Sequence, residues 1–252
     1  MPTILIFGAA SGIGKAFLNA YASTPENHVV AIDREPIETS TLPRNITTKT
    51  ADITNPAAVC AQLEPLLGTP IDLVIHCVGV RGLVPSVEQE NPSNVAAAET
   101  LNVMDEATMA HTYAVNAIGT FTVLKSVLPL LLHHHHHENA DTSSTGRRTP
   151  PRVVVMGSRM GSMGYNTTGA AYAYRASKAA LNAIVKSFSI DVPDVVFTVV
   201  HPGRVESGLV RCREEGAISA EESVARMVPL IEGLTREMSG TFVDRFGVRI
   251  EW

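Results

Sequence analysis

Thr3-Ile-Leu-Ile-Phe-Gly-Ala-Ala-Ser-Gly-Ile-Gly14 joins a five-residue apolar run to three glycines, and a helical pattern follows from Lys15 to Ala22. An unbroken apolar run of that length reads as a strand buried on both faces, as in a parallel sheet covered by helices. Glycines placed directly after it let the backbone turn into a helix N-terminus, whose free N–H groups and dipole face any anion bound there. The spacing is Gly8-x-x-x-Gly12-x-Gly14 rather than GxGxxG, but strand, turn and helix come in the same order. Gly8, Ser11, Gly12, Ile13 and Gly14 therefore read as a pyrophosphate cradle. A purely structural glycine turn has the same local sequence, and the next element separates the two readings. His28 to Ile32 forms a second strand ending on Asp33. A carboxylate about 20 residues beyond the glycines is placed to accept hydrogen bonds from adenosine ribose hydroxyls.

The same alternation continues. Ile46 to Ala51 reads as a third strand closed by Asp52-Ile53, and Asn55-Pro56 as N-cap and first residue of a helix to about Leu67. Ile71 to His76 is the fourth strand, leaving through Cys77-Val78-Gly79. The polar segment from Arg81 to Val103 has no period and reads as loop with at most one helical turn. From Asp105 a helical pattern runs through Asn116 and Gly119 to about Leu132, and Pro129 should bend or shorten it. Residues 133–151 read as a mobile surface loop. Five histidines, His133 to His137, lie in it without carboxylate or cysteine partners at ligand spacing, so no metal site is expected. Arg152 to Met156 is the fifth strand, followed by Gly157-Ser158. A helix carrying Tyr174 and Lys178 to about Asp191 precedes a sixth strand, Val195 to Val200, stopped by His201-Pro202-Gly203. Ser219-Ala-Glu-Glu222 is a capping box for a helix to about Thr235, and Thr241 to Asp244 a last strand. The expected fold is α/β: one doubly wound, Rossmann-type parallel sheet flanked by helices, a single domain over residues 1–252, with ligands beyond the strands' carboxyl ends.

Composition agrees and excludes other classes. The 252 residues are 45% hydrophobic and 18% charged, with a net charge of -5, so no basic surface for nucleic acid is expected. Cys60, Cys77 and Cys212 have no metal-ligand spacing and read as reduced thiols. The start of the chain reads as a strand rather than a signal h-region, and Lys125 and Pro129 interrupt the apolar run from Thr120 to Leu132. A cytoplasmic protein without a membrane span is the expectation.

Tyr174 and Lys178 lie four residues apart on one helix face. The Lys178 ammonium can sit near the Tyr174 phenol and favour its ionised form, suiting the phenol for proton transfer near neutral pH. On its own this spacing also occurs on any exposed helix.

Together these residues resemble the short-chain dehydrogenase/reductase family over essentially the whole chain. Its glycine motif matches Gly8, Gly12 and Gly14; its catalytic Asn, Ser, Tyr and Lys match Asn116, Ser158, Tyr174 and Lys178; its Pro-Gly matches Pro202-Gly203. The strings from Tyr172 to Asn182 and from Ser239 to Asp244, with the terminal Trp252, are similar to the C-factor-like carbonyl-reductase branch. Ser162 also precedes Tyr174, but Ser158 stands directly after the strand, where that branch places its serine. The family's Asn-Asn-Ala-Gly is replaced by His76-Cys-Val-Gly79, with His76 read as a structural substitute.

The resemblance implies an NAD(P)-dependent oxidoreductase moving hydride between nicotinamide and a carbonyl or secondary alcohol of a small, largely apolar substrate. It also implies that Ser158 polarises the substrate oxygen, Tyr174 transfers the proton, Lys178 holds the nicotinamide ribose, and Asn116 positions a water toward Lys178. The implied cofactor residues are Gly8, Ser11, Gly12, Ile13, Gly14, Asp33, Arg34, Asp52, Ile53, Cys77, Val78, Gly79, Tyr174, Lys178, Pro202, Gly203 and Val205. Asp33 favours NAD(H), whereas Arg34 offers one cation to the phosphate of NADP(H). Arg81, Arg159 and Arg204 are left open to face substrate or solvent, and the segment from Arg204 to Ile218 to cover the pocket. A homodimer or homotetramer through the two long helices is implied. The same fold and cofactor also serve non-reductive steps and non-catalytic, nucleotide-binding signalling proteins.

Overall fold

The computed structural model describes residues 1–38, 40, 42–138 and 149–252. Its elements are β1 (Thr3–Phe7), α1 (Gly12–Ala22), β2 (His28–Asp33), β3 (Ile46–Thr50), α2 (Pro56–Leu63), β4 (Leu73–His76), α3 (Pro85–Glu90), α4 (Glu106–Tyr113), α5 (Thr120–Glu138), β5 (Arg152–Met156), α6 (Tyr172–Asp191), β6 (Val196–His201), α7 (Ala220–Glu232) and β7 (Thr241–Asp244). Among the described residues seven strands form one sheet in the order β3-β2-β1-β4-β5-β6-β7, every pair parallel. Chain order reverses at β1. The carboxyl ends of β1 and β4 therefore flank the switch point at which doubly wound sheets bind ligands.

Strand periodicity divides the core into two layers. Leu5, Phe7, Val30 and Ile32 face one layer with Val123, Leu124, Leu181 and Val185 of α5 and α6. Ile4, Ile6, Val29 and Ala31 face the other with Phe17, Leu18, Val224 and Met227 of α1 and α7. The β3 residues Ile46-Thr-Thr-Lys-Thr50 are only partly covered, as suits an edge strand.

α4 and α5 are joined without a break by a π-helical segment, Ala114–Gly119. The stretch Glu106–Leu132 is long and apolar enough to cross a membrane by length and composition. Here its Val123, Leu124, Val127, Leu130 and Leu131 are buried in the sheet layer, the packing of a core helix.

Several boundaries differ from the sequence reading: β4 begins at Leu73 rather than Ile71, α7 ends at Glu232 rather than near Thr235, β3 and β6 shift by one residue, and three differences reach further. α2 ends at Leu63 and passes into a 3-10 turn, Glu64–Leu66. The polar segment holds α3 and a 3-10 turn, Val95–Glu99, rather than a single turn. α5 continues to Glu138 instead of stopping near Leu132. Pro129 does not end it because Pro129 and Lys125 both face solvent, so the carbonyl that loses its N–H partner stays hydrated. The expected loop thus starts later. Its residues 139–148, and the side chains of the histidine run, lie outside the described residues.

Candidate active site

A cavity of about 1050 Å³ opens at the switch point. Every residue that the sequence assigned to the cofactor lines it. The floor is the turn from β1 into α1. Ser11 is the N-cap of α1 but makes no side-chain cap, so the first N–H groups of the helix have no side-chain acceptor and face the cavity. Gly14 is required by close approach: a Cβ there would lie 1.9 Å from the Gly8 carbonyl oxygen. Gly12 has φ +50, and a Cβ on it would lie 2.7 Å from the Ser207 carbonyl oxygen, so the segment after β6 rests on this turn.

Asp33 closes one end of the cavity. Its carboxylate accepts from the Ala10 N–H at 2.9 Å and the Glu35 N–H at 3.1 Å, which fixes it beside the glycine turn. Arg34 is largely exposed and turns to Glu35, Nε to Oε1 3.6 Å. The Asp52 carboxyl is held below the usual range by the hydroxyl and N–H of Thr54, and it lies on the same wall.

At the opposite end Ser158, Tyr174 and Lys178 converge. Ser158, directly after β5, accepts from the Met160 N–H at 3.2 Å and hydrogen-bonds the Tyr174 side chain. Tyr174 and Lys178, one turn apart on α6, are both buried, and the Lys178 ammonium donates to the Met156 carbonyl at 2.9 Å. Ser162 is only 1% exposed, is not part of the cavity wall, and accepts from the Tyr165 N–H at 3.3 Å. Of the two serines, Ser158 is the one on the cavity wall.

These features are those of a known family, and comparison bears this out. The family model for short chain dehydrogenases matches residues 2–217. The chain belongs to the short chain dehydrogenase family. It is 36% identical over 185 residues to the C-signal protein of Myxococcus xanthus, covering 73% of this chain and 93% of that protein. It is 30% identical to the short chain dehydrogenase gsfK of Penicillium aethiopicum, with 99% of each covered. The likeness to C-signal agrees with the branch the sequence resembled. The fold matches the carbonyl reductase Sniffer of D. melanogaster at TM-score 0.82 and 24% identity, covering 100% of both chains. It also matches an NADPH-bound carbonyl reductase from chicken fatty liver at TM-score 0.81 and 22% identity, covering 100% of this chain and 99% of that one. The chain is thus a short-chain oxidoreductase.

The surroundings of Asn116 and Tyr174 add detail that the sequence did not carry. Asn116 stands behind the cavity wall, fully buried. Its side chain is spent on the loop after β4: Oδ1 accepts from the Val80 N–H at 2.8 Å, and Nδ2 donates to the Val80 carbonyl and the Ser177 hydroxyl, each at 2.9 Å. Only its main-chain carbonyl is left to act on a water, and that already accepts the Thr120 hydroxyl at 2.7 Å. Because this hydroxyl's one proton is used there, Thr120 accepts from His76 Nε2 at 3.0 Å, which fixes the tautomer of His76. Burial and the Lys178 charge drive His76 down to about 3, so it stays neutral, a structural substitute as expected.

Tyr174 is the second case. Burial pushes its phenol up, and the first opposing influence is the Arg81 guanidinium, followed by the hydrogen bond with Ser158. Arg81 lies 4.9 Å from the ring centroid, against 5.8 Å for the Lys178 ammonium. Lys178 does reach the ring, as its spacing implied, but Arg81 is the nearer cation. Burial itself pulls Lys178 down to about 8.

Sequence reasoning also missed Tyr165, Glu214, Asp244 and Phe246 on the cavity wall. Asp244 ends β7 and Phe246 follows it, while Tyr165 and Glu214 arrive on loops whose path only the tertiary fold sets. The segment from Arg204 to Ile218 does cover the pocket: Val205 pairs with Ile218 at its base, and Leu209 and Val210 line the cavity. Arg159 and Arg204 line it as well.

Proposed function

We propose that this short-chain oxidoreductase is NAD(P)-dependent and interconverts a carbonyl and a secondary alcohol on a small, largely apolar substrate. The observation that carries this reading is the convergence of Ser158, Tyr174 and Lys178 in the cavity whose other end is the glycine turn and Asp33. The residues fit a dinucleotide. The turn admits an anion against bare backbone, the Asp33 carboxylate lines the cavity beside that turn at the end of β2, and the cavity is at the upper end of small-molecule sites. A bound nicotinamide supplies the hydride chemistry.

The chain's own residues do the rest. Ser158 holds the substrate oxygen where negative charge develops. Tyr174 gives its proton to that oxygen in reduction and takes it back in oxidation. Lys178, held by the Met156 carbonyl, binds the nicotinamide ribose and faces the phenol. Asn116 clasps the loop after β4, and its main-chain carbonyl is the group left to hold a water toward Lys178. Val205, Leu209 and Val210 form an apolar wall. The exposed Tyr113, Ile118 and Phe121 leave an apolar strip along the α4–α5 rod, which supports self-association into a dimer or tetramer. The test is oxidation of NADH and NADPH over a panel of aldehydes and ketones. No turnover with any, despite tight cofactor binding, would favour the second reading, a nucleotide-binding signalling protein, for which the name of the M. xanthus relative speaks.

For the cofactor we favour NAD(H). The fixed Asp33 carboxylate would accept a ribose 2′-hydroxyl but repel a 2′-phosphate, by about 1 kcal/mol in water and about 4 at an effective dielectric of 20 for unit charges about 4 Å apart. Arg34 is drawn toward Glu35, and Ser11 adds no cation. NADP(H) in solved family members does not support this preference; the carboxylate does. Asp33→Ser should raise the NADPH-to-NADH ratio of kcat/KM roughly tenfold or more. A wild type that strongly prefers NADPH, unchanged in Asp33→Ser, would place Asp33 away from the ribose.

A further inference from the structure

Arg81 lies two residues beyond Gly79, in the loop after β4, and lines the cavity beside Tyr174. Its guanidinium is held in place on two sides. Nε and Nη2 donate to the two Glu99 carboxylate oxygens at 2.9 and 3.0 Å, in a bidentate pair whose side chains are 13% and 10% exposed. The neighbouring Val80 is clasped at both its N–H and its carbonyl by Asn116. Glu99 is tied in turn to the helix that carries Tyr174, because its carbonyl accepts the Ala171 N–H at 2.8 Å. Ala170 and Ala171 have φ of 52° and 50°, a left-handed conformation that non-glycine residues hold only when the surroundings impose it. The Glu99 bond is part of that imposition. One residue therefore sets both the entry into α6 and the position of the cation over the Tyr174 ring.

We propose that Arg81 is a positioning residue for proton transfer: with Glu99 as its counter-charge, it sets the proton affinity of the Tyr174 phenol. This rests on Tyr174 being the proton-transferring group. The charged groups facing the phenol are Arg81 from the loop after β4, Glu99 from the 3-10 turn, Glu214 from the segment after β6, and Lys178 from α6 itself, with Ser158 the neutral neighbour. A nearby cation favours the phenolate, and exclusion of water keeps the interaction strong. Glu99 opposes it from behind the guanidinium, weakening the field without cancelling it.

Opposite signs follow for the two partners. Removing the Arg81 charge makes the phenol harder to ionise, and removing the Glu99 charge makes it easier. The test titrates ring-labelled tyrosine by carbon NMR in the full chain without cofactor, with the Tyr174 signal assigned by its loss in Tyr174→Phe. Arg81→Met should move the Tyr174 titration to higher pH, Arg81→Lys should return part of that shift, and Glu99→Gln should move it to lower pH. In alcohol oxidation, which needs the phenolate, Arg81→Met should lower kcat/KM on the acid limb about tenfold, and Glu99→Gln should raise it there. A mere lesion in a structural ion pair would move both variants the same way. That result, or no shift in either, overturns the proposal. Wild-type hydride transfer in Tyr174→Phe would instead remove the underlying reading of Tyr174, whatever the titrations gave.

Discussion

Tyr174→Phe is expected to lower the rate of hydride transfer by about 10²–10⁴-fold, the range that a positioned proton donor contributes. The ring is buried at 6% exposure and packs without help from its hydroxyl, so the variant should fold. It gives up the hydrogen bond with Ser158, which is worth about 1 kcal/mol. Because burial raises the phenol, reduction gains a donor that holds its proton until the substrate oxygen becomes basic. Oxidation has the reverse requirement and should improve as pH rises. Single-turnover stopped-flow with the best carbonyl of the panel separates this from a binding defect: the nicotinamide dissociation constant should change little while the transfer step collapses. Wild-type transfer rates would show that the proton comes from elsewhere.

Where local chemistry sets the structure, the sequence was easy to read. The bounds of β1, β5 and β7 agree residue for residue with the apolar runs Thr3–Phe7, Arg152–Met156 and Thr241–Asp244. The Asn55 and Ser219 caps form as anticipated, accepting from the Ala58 and Glu222 N–H groups. The glycine turn was legible because backbone contact at Gly14 leaves no room for a side chain.

What escaped depends on partners distant in sequence. The Arg81–Glu99 pair joins residues 18 apart within a segment without period, and its effect on Tyr174 appears only once β4 and α6 are docked. The π-helical segment at Asn116 is likewise tertiary. Gly119 passes so close to Ile53 that a Cβ would lie 2.7 Å from its Cδ1, and the Asn116 side chain is drawn out to Val80 and Ser177. The overrun of α5 has a simpler cause. Residues 130–138 contain neither Gly nor Pro, so a polar composition was read as loop where no helix breaker stands.

Ser158→Ala should cost about 10²–10³ in kcat, whereas Ser162→Ala should leave kcat within a few-fold of wild type. The two serines differ in where their hydroxyls are committed. Ser158 accepts the Met160 N–H and keeps its single proton to donate, and it lines the cavity beside Tyr174, where a substrate oxygen would be met. Alanine there leaves the substrate carbonyl with one donor fewer as charge develops. Ser162 sits behind the wall and accepts from the Tyr165 N–H. Its loss loosens Tyr165, on which the Arg159 guanidinium rests at 5.3 Å, and should therefore appear in KM and in about 1 kcal/mol of stability. Measuring kcat, KM and thermal unfolding for both variants separates these roles. A Ser162→Ala protein that folds normally yet fails at the chemical step, beside an active Ser158→Ala, would reverse the assignment.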